Sequence, residues 1–123
     1  MQLLHTSIRV KNMDESIEFY TKWLGMTLQS RSEVQHDIAE VAFLARAGTN
    51  HTIELVWRKD MKDFPQGDQQ DHIAFGVASL YQILETLRAG GVEIAREPFL
   101  SPGSRQVAFI KDPNGKWIEL IEQ

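Results

Sequence analysis

Two short stretches of this chain echo one another: His5-Thr6-Ser7-Ile8-Arg9-Val10 near the start and His72-Ile73-Ala74-Phe75-Gly76-Val77 past the middle. Both read His-x-x-apolar-x-Val, a histidine opening a strand-like run. A second echo closes each half, Ile53-Glu54-Leu55 and Ile118-Glu119-Leu120. The histidines stand 67 residues apart and the glutamates 65. A unit of about sixty residues used twice constrains the fold more than any other feature, because each copy must repeat one small arrangement of strands and helix.

Hydrophobic periodicity supplies that arrangement. Leu3–Val10 reads as a strand with His5, Ser7 and Arg9 on one face and Thr6, Ile8 and Val10 on the other, the buried one. Asn12 or Asp14 can cap a helix to about Leu24, with Ile17, Tyr20 and Leu24 as its stripe and Phe19 and Trp23 widening it. Gly25 sits where a helix-ending glycine belongs. Strands are expected near Met26–Arg31, Ile38–Ala45 and Thr52–Trp57, the last entered through Gly48-Thr49-Asn50.

The polar stretch 58–70, with Pro65 and Gly67, reads as a connector. In the second copy, Ser79 and Gln82 form a capping box ahead of Leu80, Ile83, Leu84 and Leu87, and Gly90-Gly91 ends the helix. Val92–Arg96, Arg105–Lys111 and Lys116–Glu122 are strand candidates, with the turn Asp112-Pro113-Asn114-Gly115 before the last. Each copy is therefore β-α-β-β-β, about 1–57 and 71–123, within one α+β domain spanning 1–123.

At 123 residues the chain buries roughly two thirds of its unfolded surface, enough for a core without staples. The absence of cysteine excludes disulfides and thiol chemistry by the protein. A net charge of -4 without a Lys/Arg cluster argues against nucleic acid as partner. No apolar run approaches the roughly 18 residues of a membrane span. The start carries no leader pattern, so a cytoplasmic place is expected.

Glu54 and Glu119 each sit between apolar neighbours and so project to the opposite face of their strand. If the two copies curl into sheets that face one another, His5, Glu54, His72 and Glu119 come onto one concave surface. Two imidazoles and two carboxylates make a divalent-metal site with room for water or substrate. Nitrogen and oxygen donors without thiolate suit Ni, Zn, Co, Mn or Fe rather than Cu(I). His36 and His51 have no echo and read as surface residues. Trp23, Trp57 and Trp117 read as core or interface packing.

These features resemble the vicinal oxygen chelate superfamily, the glyoxalase/bleomycin-resistance/dioxygenase fold of two βαβββ modules whose curved mixed sheets surround a metal. Within it the chain is most similar to the short bacterial glyoxalase I (lactoylglutathione lyase) enzymes. The resemblance is carried by Leu4-His5-Thr6 with Arg9-Val10, by Ser16-Ile17 with Phe19-Tyr20-Thr21-Lys22 and Leu24-Gly25-Met26, by His72-Ile73-Ala74, and by Ala108-Phe109 with Asp112-Pro113-Asn114-Gly115 and Ile118-Glu119-Leu120-Ile121-Glu122.

What the resemblance implies is a carbon–sulfur lyase that isomerises the hemithioacetal of methylglyoxal and glutathione to S-lactoylglutathione. His5, Glu54, His72 and Glu119 then carry over as metal ligands, with Ni expected and Zn or Co the other choices. Glu119 is implied as the base, Glu54 as its partner on the opposite side. A carboxylate held by a metal is a poor base, so Glu119 is expected to loosen during turnover. Arg9, on the face of His5, is implied as a clamp on a glutathione carboxylate, and Arg105 as a contact for the glycyl end. The chain departs from the pattern at Arg58, where relatives often carry Asn, and at Asp68, where some carry Arg.

A homodimer is also implied, with His5 and Glu54 of one copy meeting His72 and Glu119 of the other. The alternatives are other metal-dependent members (a thiol transferase, an epimerase or a dioxygenase) and a non-enzymatic drug-binding resistance protein. By the same resemblance, thiol transferases and dioxygenases usually have two His and one Glu, epimerases a His/Gln/His/Glu set, and the drug-binding proteins generally lack the metal set.

Overall fold

The computed structural model describes residues 1–34, 38–61, 64 and 71–123, and the chain divides into two compact units, Met1–Pro65 and Gln66–Gln123. His36, Asp68 and most of the stretch 58–70 lie outside the described residues.

In the first unit the order is β1 (His5–Arg9), α1 (Met13–Glu18), a π-helical turn (Phe19–Trp23), β2 (Thr27–Val34), β3 (Ala39–Ala45) and β4 (Thr52–Arg58). The strands form one mixed sheet in the order β1-β4-β3-β2, with β1 parallel to β4 and the other pairs antiparallel. In the second, β5 (His72–Val77), α2 (Leu80–Ala89), β6 (Ile94–Leu100), β7 (Gln106–Lys111) and β8 (Trp117–Glu122) repeat this as β5-β8-β7-β6. The α+β fold of two βαβββ modules follows from this order.

Each sheet has one face for the core and one for the site, because paired residues on neighbouring strands project to the same side. Under α1, Ile8, Val10, Ala42, Leu44, Ile53 and Leu55 are buried. Ala108, Ile110, Ile118 and Leu120 are buried beneath the Leu80, Leu84 and Leu87 stripe of α2. Each fully buried leucine contributes about 1.5–3 kcal/mol of transfer free energy.

Caps hold the helices where the sequence placed them. The Asn12 side chain accepts a hydrogen bond from the Glu15 amide at 2.9 Å, and Ser79 accepts one from Gln82 at 3.4 Å. Glu122 of β8 also accepts from the Leu80 amide at 2.7 Å, tying the α2 N-terminus to the sheet. Gly25 adopts φ 65°, the left-handed conformation that lets the chain turn from the helix into β2.

The first helix differs from its sequence pattern. After Glu18 it widens into the π turn, and its buried residues are Met13, Ser16, Phe19 and Tyr20. Ile17 and Leu24 are only half-buried. A π turn takes more residues per turn than the 3.6 of an α-helix, so the stripe after Glu18 falls out of phase with the sequence pattern. Thr6 is another difference: expected on the buried face, it is exposed, on the edge strand of its sheet.

Candidate metal centre

Register builds the site in each unit. In β1, His5, Ser7 and Arg9 alternate onto one face, and Ser7 stands opposite Glu54 of β4. Glu54 in turn stands opposite Phe43 of β3, and Phe43 opposite Ser30 of β2. One row therefore crosses the first sheet: Ser30, Phe43, Glu54, Ser7. The equivalent row of the second sheet is Arg96, Phe109, Glu119, Ala74.

Around each row the histidine of the first strand meets the phenylalanine of the third. The His5 and Phe43 rings are edge to face at 5.5 Å and 83°, and those of His72 and Phe109 at 5.4 Å and 90°. His72 Nε2 lies 3.2 Å from Glu119 Oε2. Two donors each about 2.1 Å from one cation, at a right angle, stand about 3 Å apart, so this pair fits two neighbouring ligand positions. Glu54 accepts a hydrogen bond from Ser7 Oγ at 2.8 Å. The turn Asp112-Pro113-Asn114-Gly115 fixes the β7–β8 register: Asp112 Oδ1 accepts from the Asn114 and Lys116 amides at 2.8 Å each.

Neither unit by itself gathers three His, Asp or Glu side chains around a point, among the described residues. Each brings one imidazole and one carboxylate to one face. Nitrogen and oxygen donors of this kind suit a divalent ion.

The two predicted anion clamps differ in setting. Arg9 is half-buried at the end of β1, about 13 Å along the strand from His5, and its Nη1 lies 2.9 Å from Met61 Sδ. Arg105 is exposed ahead of β7, where its backbone bonds to Ser101 close a tight turn with Ser104 at φ 59°. Arg58 lies on the Glu54 face of β4, but its guanidinium donates two bonds of 2.9 Å to Asp60. That pairing holds the Asp60 carboxyl below its ordinary value and raises the Arg58 guanidinium.

Ser7 is expected on this face beside His5, but Phe43, Phe109 and Arg96 escape a reading by sequence as site residues. The phenylalanines had a signal, since Val41-Ala42-Phe43 and Val107-Ala108-Phe109 are a third echo, 66 residues apart. Arg96 lies over the Phe99 ring at 3.5 Å, and Phe99 stacks on Phe109 at 6.3 Å. It is exposed, and no carboxylate pairs with it among the described residues. His51, expected at the surface, is half-buried with Nε2 2.8 Å from Thr6 Oγ1. Trp23, Trp57 and Trp117 are half-buried, and the Trp117 ring packs on Phe109 at 5.3 Å.

The family model described as the Glyoxalase/Bleomycin resistance protein/Dioxygenase superfamily matches residues 2–120. The chain belongs to this superfamily. Within the superfamily it is 38% identical over 124 residues to the probable lactoylglutathione lyase of Vibrio cholerae, covering 98% of this chain and 90% of that one. It is likewise 38% identical to the lactoylglutathione lyase of Haemophilus influenzae, covering 99% and 93%. Among solved structures it is similar to the trypanothione-dependent glyoxalase I of Leishmania major: TM-score 0.84, 30% identity, 99% of this chain and 86% of that one. The glyoxalase superfamily's two-module architecture is the one seen here.

Proposed function

We propose that this protein is a lactoylglutathione lyase: it isomerises the hemithioacetal of methylglyoxal and glutathione to S-lactoylglutathione. The observation that carries the reading is the twice-built His–Phe–Glu arrangement on the open face of each sheet. It occurs in a chain similar along nearly its whole length to enzymes of that name.

His5, Glu54, His72 and Glu119 hold one divalent cation, and nickel is the ion we assign. Bound there, the cation supplies Lewis-acid stabilisation of the negative charge that develops on the two substrate oxygens. Glu119 takes the proton from the carbon bearing sulfur and returns it to the neighbouring carbon, while the hydroxyl proton passes from the oxygen on the first carbon to the oxygen on the second, so the carbonyl and hydroxyl exchange places and no atom is gained or lost. Glu54 faces the reacting carbons from the other side. Arg9, with Arg105 and the fixed guanidinium of Arg96, supplies cations for the carboxylates of the thiol.

Because each unit carries one His/Glu pair, we propose a homodimer in which His5 and Glu54 of one copy meet His72 and Glu119 of the other. The cytoplasm is the place we assign, where the thiol is kept reduced. Nickel-reconstituted protein given methylglyoxal and glutathione is expected to form S-lactoylglutathione. No product with nickel or zinc bound would overturn the activity. Sharing has its own test: co-expressed His5→Ala and Glu119→Gln chains should regain activity far above that of either alone, since one of the two mixed sites is intact.

A further inference from the structure

We infer that Ser7 is a positioning residue that divides the work between the two carboxylates, holding Glu54 in place and leaving Glu119 as the one free to swing. The inference rests on the proposed activity and deepens it. Ser7 and Glu54 are direct neighbours in the β1–β4 register, and the hydroxyl donates to Glu54 Oε1 at 2.8 Å. In the second sheet the same register position opposite Glu119 belongs to Ala74, which has no hydroxyl to donate. The carboxylates are otherwise matched: each follows an isoleucine, precedes a leucine, is half-buried and stands opposite a phenylalanine.

A carboxylate that both holds a cation and carries a proton between two carbons must change position within a turnover. A hydrogen bond from a neighbouring strand to an ionised carboxylate resists that movement. Glu54 carries such a bond. Glu119 makes its contact with His72, a donor that belongs to the same site. The difference of one hydroxyl therefore biases the moving role toward Glu119, although the two modules place their carboxylates alike.

The test uses the dimeric, nickel-loaded protein and the apo protein. Glu119→Gln alone is expected to leave a small residual turnover. Adding Ser7→Ala releases Glu54, and residual turnover is expected to rise about tenfold, the size of one charge-assisted hydrogen bond; Ser7→Thr, which keeps a hydroxyl, should restore the low value. Independently of turnover, chelator competition on the apo protein should show Ser7→Ala binding cobalt(II) about tenfold more weakly, and Ala74→Ser binding it more tightly. Equal residual turnover in Glu119→Gln with and without Ser7→Ala, in protein whose circular dichroism is unchanged, overturns the inference. Wild-type nickel-loaded protein that forms no S-lactoylglutathione would instead overturn the proposed function, so the two failures read differently.

Discussion

Across the first sheet the site row is Ser30, Phe43, Glu54 and Ser7; across the second it is Arg96, Phe109, Glu119 and Ala74. The inner two positions agree and the outer two do not. On the reverse faces the helices differ more. The first widens into a π turn and buries Ser16 with its aromatics, while the second is regular and buries three leucines. The core face asks only for apolar volume in the right place, which many sequences supply. The site face asks for particular donor atoms at particular register positions, so the duplicated histidines, phenylalanines and glutamates remain at matching places. At the outer positions Ser7 of β1 corresponds to Ala74 of β5 and Ser30 of β2 to Arg96 of β6, and next along the first strands Arg9 corresponds to Gly76.

The largest effect expected from this inequality is in the chemistry. Glu119→Gln should lower kcat by about 10²–10⁴-fold while metal analysis still finds the cation, because a general base is lost. Glu54→Gln should cost less; equal losses would erase the distinction between modules. Next comes the equivalence of the cores. Leu55 is fully buried and Leu120 1% exposed, so Leu→Ala at either should cost about 2–5 kcal/mol in denaturant melts. A cost near zero at one of them would show that its module is less tightly packed than its twin.

Smaller again is the clamp. Arg9→Ala should raise KM about tenfold with kcat little changed, the pattern of lost ground-state binding. Unchanged kinetics would leave the two β-strand ends equivalent. The smallest effect sits outside the site. Arg88 donates two bonds to Glu97, and this pairing lowers the Glu97 carboxyl below its ordinary 4.5. A lowered carboxyl stabilises the fold above 4.5, and the gain disappears as pH falls through the lowered value. Arg88→Ala should therefore depress Tm slightly at neutral pH, by the small amount typical of exposed pairs, with no difference from wild type in strong acid.

Much of the architecture was readable in the chain itself. Alternation and turn chemistry locate the strands, and Asn12, Ser79, Gly25 and the Asp112–Gly115 turn end or begin elements where they were expected, because caps and turns are local interactions. The phase of the first helix was not readable. The π turn shifts the phase of the residues after Glu18 and leaves Leu24 half-buried. His51 was misread for a similar reason: its partner, Thr6, is 45 residues away.

By itself the sequence determined the duplication and the kinds of donor available, since a repeated pattern and a residue's chemistry need no coordinates. Only tertiary structure decided which side chains touch. The Ser7 hydroxyl reaches Glu54, Phe43 and Phe109 brace the histidines, and Arg96 joins the row of Glu119 through a register interrupted by bulges in β6. Cross-strand neighbours depend on register, and register depends on the packing of whole sheets rather than on any short stretch.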